Sequence, residues 1–187
     1  MKWLRVLAVL LLVLLLLAGG LIWYLRPDKS LNLNYTDIAW KSKLETMIKQ
    51  RQAVMTLSEE EVNNLAKKEI ALHKSDTRLP VDIKGADFKI SGNELTADVI
   101  AGWGPIVTEG VALYEMDYKA GMLELRPLSV NIKGLDLSPD TLGLETIQVD
   151  PSKYLPNIVK VSSMEFPGSG LKLHFSLDLF DLGSLIW

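Results

Sequence analysis

The sequence predicts an α+β fold: an N-terminal transmembrane helix, then a curved antiparallel sheet of about five or six long strands with two helices packed on it. Three observations predict it. Residues 6–25 contain no charged side chain and are packed with leucine. Residues 36–50 and the run that starts at Ser58 and frays by Ser75 place apolar side chains at helical spacing, and from Val81 onward the hydrophobic period changes from 3.6 to 2. The strands are joined by turns too short for crossovers, which makes the sheet antiparallel.

The first element, residues 1–25, reads as a membrane anchor. A helix rises about 1.5 Å per residue, so the uncharged run matches the roughly 30 Å of a bilayer's hydrocarbon core. Lys2 and Arg5 precede the run, whereas Arg26 and Lys29 behind it are partly offset by Asp28. The positive-inside rule then puts the N-terminus in the cytoplasm and the following domain outside the cell membrane. Trp23 and Tyr24 suit the outer interface. The alternative is a secretion signal cleaved near Ala18-Gly19-Gly20, after which the chain would be secreted. Both readings export the remainder.

Residues 26–35 form a short polar linker in which Pro27 ends the helix, and residues 36–187 form one extracytoplasmic domain. Within it, residues 36–50 carry Trp40, Leu44, Met47 and Ile48 at helical spacing, with Thr36 as the expected N-cap. Residues 52–57 are short and extended. Ser58 and Glu61 then form a capping box, with Leu57 and Val62 as its hydrophobic staple. Glu59, Glu60 and Glu61 sit in the first turn of that helix, where the dipole favours them without any metal. Val62, Leu65, Ala66 and Ile70 make its buried stripe, which frays by Ser75.

The phase of alternation slips at Gly85-Ala86, predicting a bulge. Ser91-Gly92-Asn93 and Lys119-Ala120-Gly121 carry turn chemistry. Between them Gly102-Trp103-Gly104-Pro105 breaks the run, and 106–118 forms a long strand. Pro127 shifts the phase again, which implies an edge or a bulge. Ser138-Pro139 and Asp150-Pro151 each open a short helical turn. Residues 157–166 and 171–179 are the last two strands, joined through Pro167-Gly168-Ser169-Gly170.

The chain carries a net charge of −3, and setting aside Lys2 and Arg5 leaves −5 with the charges well mixed. Nucleic-acid binding needs clustered Lys and Arg, so none is expected. No cysteine is present, which removes disulfides, thiolate chemistry and a lipoprotein anchor. His73 and His174 have no partner at metal-ligand spacing and read as solvent-exposed. No nucleophile elbow, phosphate loop or dinucleotide fingerprint occurs. Asp178 and Asp181 pair in sequence only. No metal, no cofactor and no catalytic residue is therefore expected.

The chain resembles the YpmS-like family of membrane-anchored proteins of Gram-positive bacteria. The matching residues are a single N-terminal span, Leu57-Ser58-x-x-Glu61-Val62-Asn63-x-Leu65, then Gly121-x-Leu123-x-Leu125 and Gly134-Leu135-x-Leu137-x-Pro139. It is more distantly similar to the LmeA-type phospholipid-binding family. The resemblance implies an envelope protein with a lipid-related role and supplies no catalytic residue.

The remaining signal is surplus apolar surface. Residues 106–118 are oily on both faces, although an antiparallel strand half-buried in a domain usually has one polar face. Either helices and loops cover both faces, or one face shelters acyl chains. On the second reading Ile106, Ala112, Tyr114 and Met116 line a lipid groove with Trp103 at its rim, whereas Val111 and Leu113 pack in the core. The expected partners are the membrane and a lipid or other apolar ligand. The alternative is a protein-interaction module that docks a membrane or wall-assembly partner.

Overall fold

A computed structural model describes residues 2–50, 52–73, 81–155 and 159–177. The expected fraying by Ser75, the first residues of the 157–166 strand, Leu179 and the Asp178/Asp181 pair lie outside the described residues. The chain folds as α1 (Lys2–Tyr24), α2 (Trp40–Gln50), β1 (Val54–Ser58), α3 (Glu59–Leu72) and β2 (Asp82–Ser91). There follow β3 (Glu94–Trp103), β4 (Ile106–Lys119), β5 (Met122–Ile132), β6 (Leu135–Leu137), β7 (Ile147–Val149), β8 (Val159–Glu165) and β9 (Gly170–Leu177). This is an α+β architecture of three helices with a large antiparallel sheet of six strands.

Side chains of α1 are described from Leu10, and its large apolar residues there, the leucines with Trp23 and Tyr24, are exposed. Among the described residues no helix is long and apolar enough to cross a membrane.

The strands divide into two sheets where the sequence pointed to one. The larger has the order β2-β3-β4-β5-β6, with β7 on the far part of β5, and the smaller has the order β1-β9-β8. The extended 52–57 segment is the source of the difference. It pairs with β9, setting Met55 against Leu173 and Leu57 against Leu171, and so draws the last hairpin away from the other strands.

Local chemistry places most boundaries. Ser58 Oγ accepts from the Glu61 amide and Glu61 Oε2 accepts from the Ser58 amide at 2.9 Å, closing the expected capping box. Helix α2 starts at Trp40 rather than Thr36, because the Thr36 amide is taken by Asn64 Oδ1 and Asp37 pairs with Lys68. The bulge in β2 falls at Lys84, between Ile83 and Gly85. The one in β5 falls at Leu128, beside Pro127, where pairing passes from β7 to β6. Each bulge bends its strand.

Strand β2 is an edge, and three of its outward amides are satisfied. Ala86 donates to Asn32 O, Phe88 to Asn63 Oδ1 and Ile90 to Glu59 Oε2. Linker and α3 therefore close an edge that would otherwise offer itself to another chain.

The core lies between the sheets. Ile90, Leu95 and Met116 of the large sheet meet Met55, Leu57, Leu171, Leu173 and Phe175 of the small one, with Met47 from α2. Val62 and Leu65 of α3 pack against this cluster half-buried. Met116 is only 3% exposed and Tyr114 packs beside it. The assignment of these two residues to a ligand groove, and of Val111 and Leu113 to the core, is thus corrected. The small sheet stacks on the even-numbered face of β4, and Val111 and Leu113 lie half-buried on the other. Truncating Met116 to Ala should cost about 2–5 kcal/mol, the range for a buried methionine. Leu113→Ala, at a half-buried position, should cost less; thermal unfolding of the two variants in detergent measures the difference.

Candidate functional site

Alternation puts one continuous apolar face on the large sheet. Along β4 it carries Ile106, Thr108, Gly110, Ala112, Tyr114 and Met116. Register sets Ala101 opposite Thr108, Val99 opposite Gly110 and Ala97 opposite Ala112 on β3. On β5 it sets Ile132 opposite Gly110 and Val130 opposite Ala112. The half of this face around Met116 lies under the small sheet, where Tyr118 Oη donates to Val161 O at 3.0 Å.

The other half is open. There Val99, Ala101, Thr108, Gly110, Ala112, Val130 and Ile132 line a shallow apolar trough of about 120 Å³. Its depth comes from side-chain size: the middle strand contributes Thr, Gly and Ala, while Val and Ile stand on the strands beside it. Enclosed small-molecule pockets run to about 300–1,000 Å³. The trough is well short of that size and runs along the strand.

Of the residues expected to form a groove, Ala112 lines the trough and Ile106 continues its floor half-exposed toward the β3–β4 turn. Trp103 pairs with Ile106 at that turn and is 70% exposed. Tyr114 and Met116 lie in the core beyond the trough's inner end. Sequence reasoning missed Thr108 and Gly110, although small residues at 108, 110 and 112 on one strand face were its available signal.

A second feature adjoins the trough from the opposite face of the sheet. The linker lies across that face, and its Asp28 and Lys29 amides both donate to Glu109 Oε2, at 3.0 and 3.1 Å. Lys133 Nζ reaches Asp28 at 2.7 Å and Glu109 at 3.3 Å, and Lys29 Nζ reaches Asp98 at 2.6 Å. Farther along, Leu31 crosses Gly85 so closely that a Cβ there would fall on its carbonyl. Only glycine admits the linker at this point.

Burial works to raise the Glu109 carboxyl, but the Lys29 and Asp28 amides and the Lys133 ammonium outweigh it. They hold Glu109 below its ordinary value of 4.5. The Lys133 ammonium is correspondingly raised, chiefly by its hydrogen bond to Asp28. None of these groups faces the apolar trough, so the clasp fixes position and leaves the trough uncharged.

Elsewhere, His73 is exposed, with Nδ1 at 2.9 Å from Glu69 O. His174 is half-buried rather than exposed, because Glu165 Oε1 lies 2.8 Å from its Nε2. Among the described residues, no group of three or more His, Cys, Asp or Glu side chains is arranged to hold a metal.

Comparison with known protein families, curated proteins and solved structures finds no match to the chain.

Because Glu109 is depressed, the stability it lends the clasp is present above its ordinary value and is lost as pH falls through the lowered one. The Asp28 and Lys29 amide protons should therefore shift together in an NMR titration, with a midpoint below 4.5. Glu109→Ala should abolish that shared titration; its persistence would place the acceptor elsewhere.

Proposed function

We propose that this protein is a membrane-anchored, non-catalytic envelope protein that holds an acyl chain in the open half of its large sheet. The observation that carries the reading is the trough itself: a strip of apolar side chains, with Thr108 as its one hydroxyl, left uncovered next to a complete core. Its lining is almost wholly apolar, so filling it with hydrocarbon takes that surface out of water. A narrow, uncharged strip with a single hydroxyl to offer fits a hydrocarbon chain better than a polar substrate.

Helix α1 supplies the second support. At about 1.5 Å per residue, its 23 residues extend about 34 Å, enough for the roughly 30 Å hydrocarbon core. Its exposed leucines gain cover in lipid. On this reading Lys2 and Arg5 stay in the cytoplasm, and the domain stands outside the membrane that supplies its ligand. The lipid-related role implied by the resemblance to YpmS-like and LmeA-type proteins is the same in kind.

Residues 26–187 include every member of the core cluster, so this fragment can be tested without the anchor. Exported and purified without detergent, it should carry a co-purifying lipid visible by native mass spectrometry. Ala112→Trp, which fills the trough, should lose that lipid while the fragment still unfolds cooperatively. A wild-type fragment that emerges empty contradicts the reading and favours a protein-docking role for the same surface.

A further inference from the structure

The β3–β4 turn differs from the other hairpin tips of the domain. Ser91-Gly92-Asn93-Glu94, Lys119-Ala120-Gly121 and Lys133-Gly134 are polar or charged. By contrast the nine residues 100–108 contain no charged side chain, and at their centre Trp103 stands 70% exposed between two glycines. Leu135, just after the β5–β6 turn, is 65% exposed. In an exported domain, a tryptophan in this setting needs an environment that is apolar at one side and wet at the other.

Topology puts that tip at the end of the domain to which the anchor is tied. Gly110 pairs with Ile132, so the β3–β4 and β5–β6 turns lie at the same end of the sheet. Lys133, in the second of these turns, holds Asp28, only four residues after the end of α1. Four residues of fully extended chain reach at most about 14 Å, so the clasped end of the sheet cannot lie far from the end of α1. The β3–β4 turn extends four residues beyond the Gly110 level, about 13 Å at strand spacing. The bilayer's interfacial layer is about 5–7 Å thick on each side, well within that reach.

We infer that the β3–β4 turn, led by Trp103, inserts into the outer-leaflet interface of the bilayer that holds α1, so that the trough opens against the lipid. This rests on the reading of α1 as a membrane span. The bilayer is the favoured occupant because the clasp brings this apolar tip to it and because tryptophan settles at headgroup level. A ligand chain then passes from the leaflet past Trp103 and Ile106 into the trough without crossing water.

The absence of native cysteine makes the test direct. The full chain, carrying one cysteine from Trp103→Cys, Pro105→Cys or Lys119→Cys, is nitroxide-labelled and reconstituted into phosphatidylethanolamine and phosphatidylglycerol vesicles. Pro105→Cys keeps the tryptophan in place, so a defect peculiar to Trp103→Cys does not decide the outcome. At positions 103 and 105, collisions with membrane-dissolved oxygen should exceed those with a water-soluble nickel chelate. At Lys119, on the opposite end, the order should reverse. Nickel access at 103 and 105 equal to that at 119 overturns the inference. So does shielding from both reagents, the result of a protein covering the tip. Carbonate-resistant flotation of the same vesicles reports the span independently, and lipid retention by the fragment reports the trough. Failure of either reading is thereby distinguished from failure of the docked tip.

Discussion

The rest of the structure depends on a mismatch of length between the two sheets. Strand β4 has 14 residues and β9 has eight, which at about 3.3 Å per residue come to about 46 and 26 Å. One apolar face runs the length of β4, yet the sheet stacked on it covers only the half around Met116. What remains must be polar, covered or functional. It is not polar: Gly110, Ala112, Val130 and Ile132 stand there with their neighbours on β3. The same alternation that builds the core, continued past the end of the small sheet, therefore builds the candidate site.

The clasp across the other face is a matter of placement more than of stability. Asp28 is largely exposed, and ion pairs of that kind contribute about 0–1 kcal/mol each. Several weak contacts nevertheless bind one short segment at Glu109, Lys133 and Asp98, with Leu31 seated on Gly85 beyond them. Together they fix where the chain leaves the sheet. Because that exit lies at the open end of the trough, α1 and the trough share one end of the domain.

Much of the fold was legible in the sequence because local rules decide it. The Ser58–Glu61 box, the turn at Ala120-Gly121 and the caps at Ser138 and Asp150 lie where residue chemistry puts them, and the bulge expected at Gly85-Ala86 falls just before them, at Lys84. The partition into two sheets was not legible, since nothing local tells β9 to pair with Val54–Ser58 across more than a hundred residues. For the same reason the faces of β4 were exchanged. Both are apolar near Tyr114, and only the position of the small sheet decides which becomes core. The clasp was equally hidden, its partners Asp28 and Lys133 being 105 positions apart.

The central claim is that hydrocarbon occupies the uncovered half of the β4 face. Its most direct measurement is photocrosslinking of the full chain in vesicles whose phospholipid carries a diazirine near the end of one acyl chain, with adducts mapped by mass spectrometry. Adducts on the segments holding Thr108, Gly110, Ala112 and Val130, in addition to those on α1, are the predicted result. Adducts confined to α1 would contradict it.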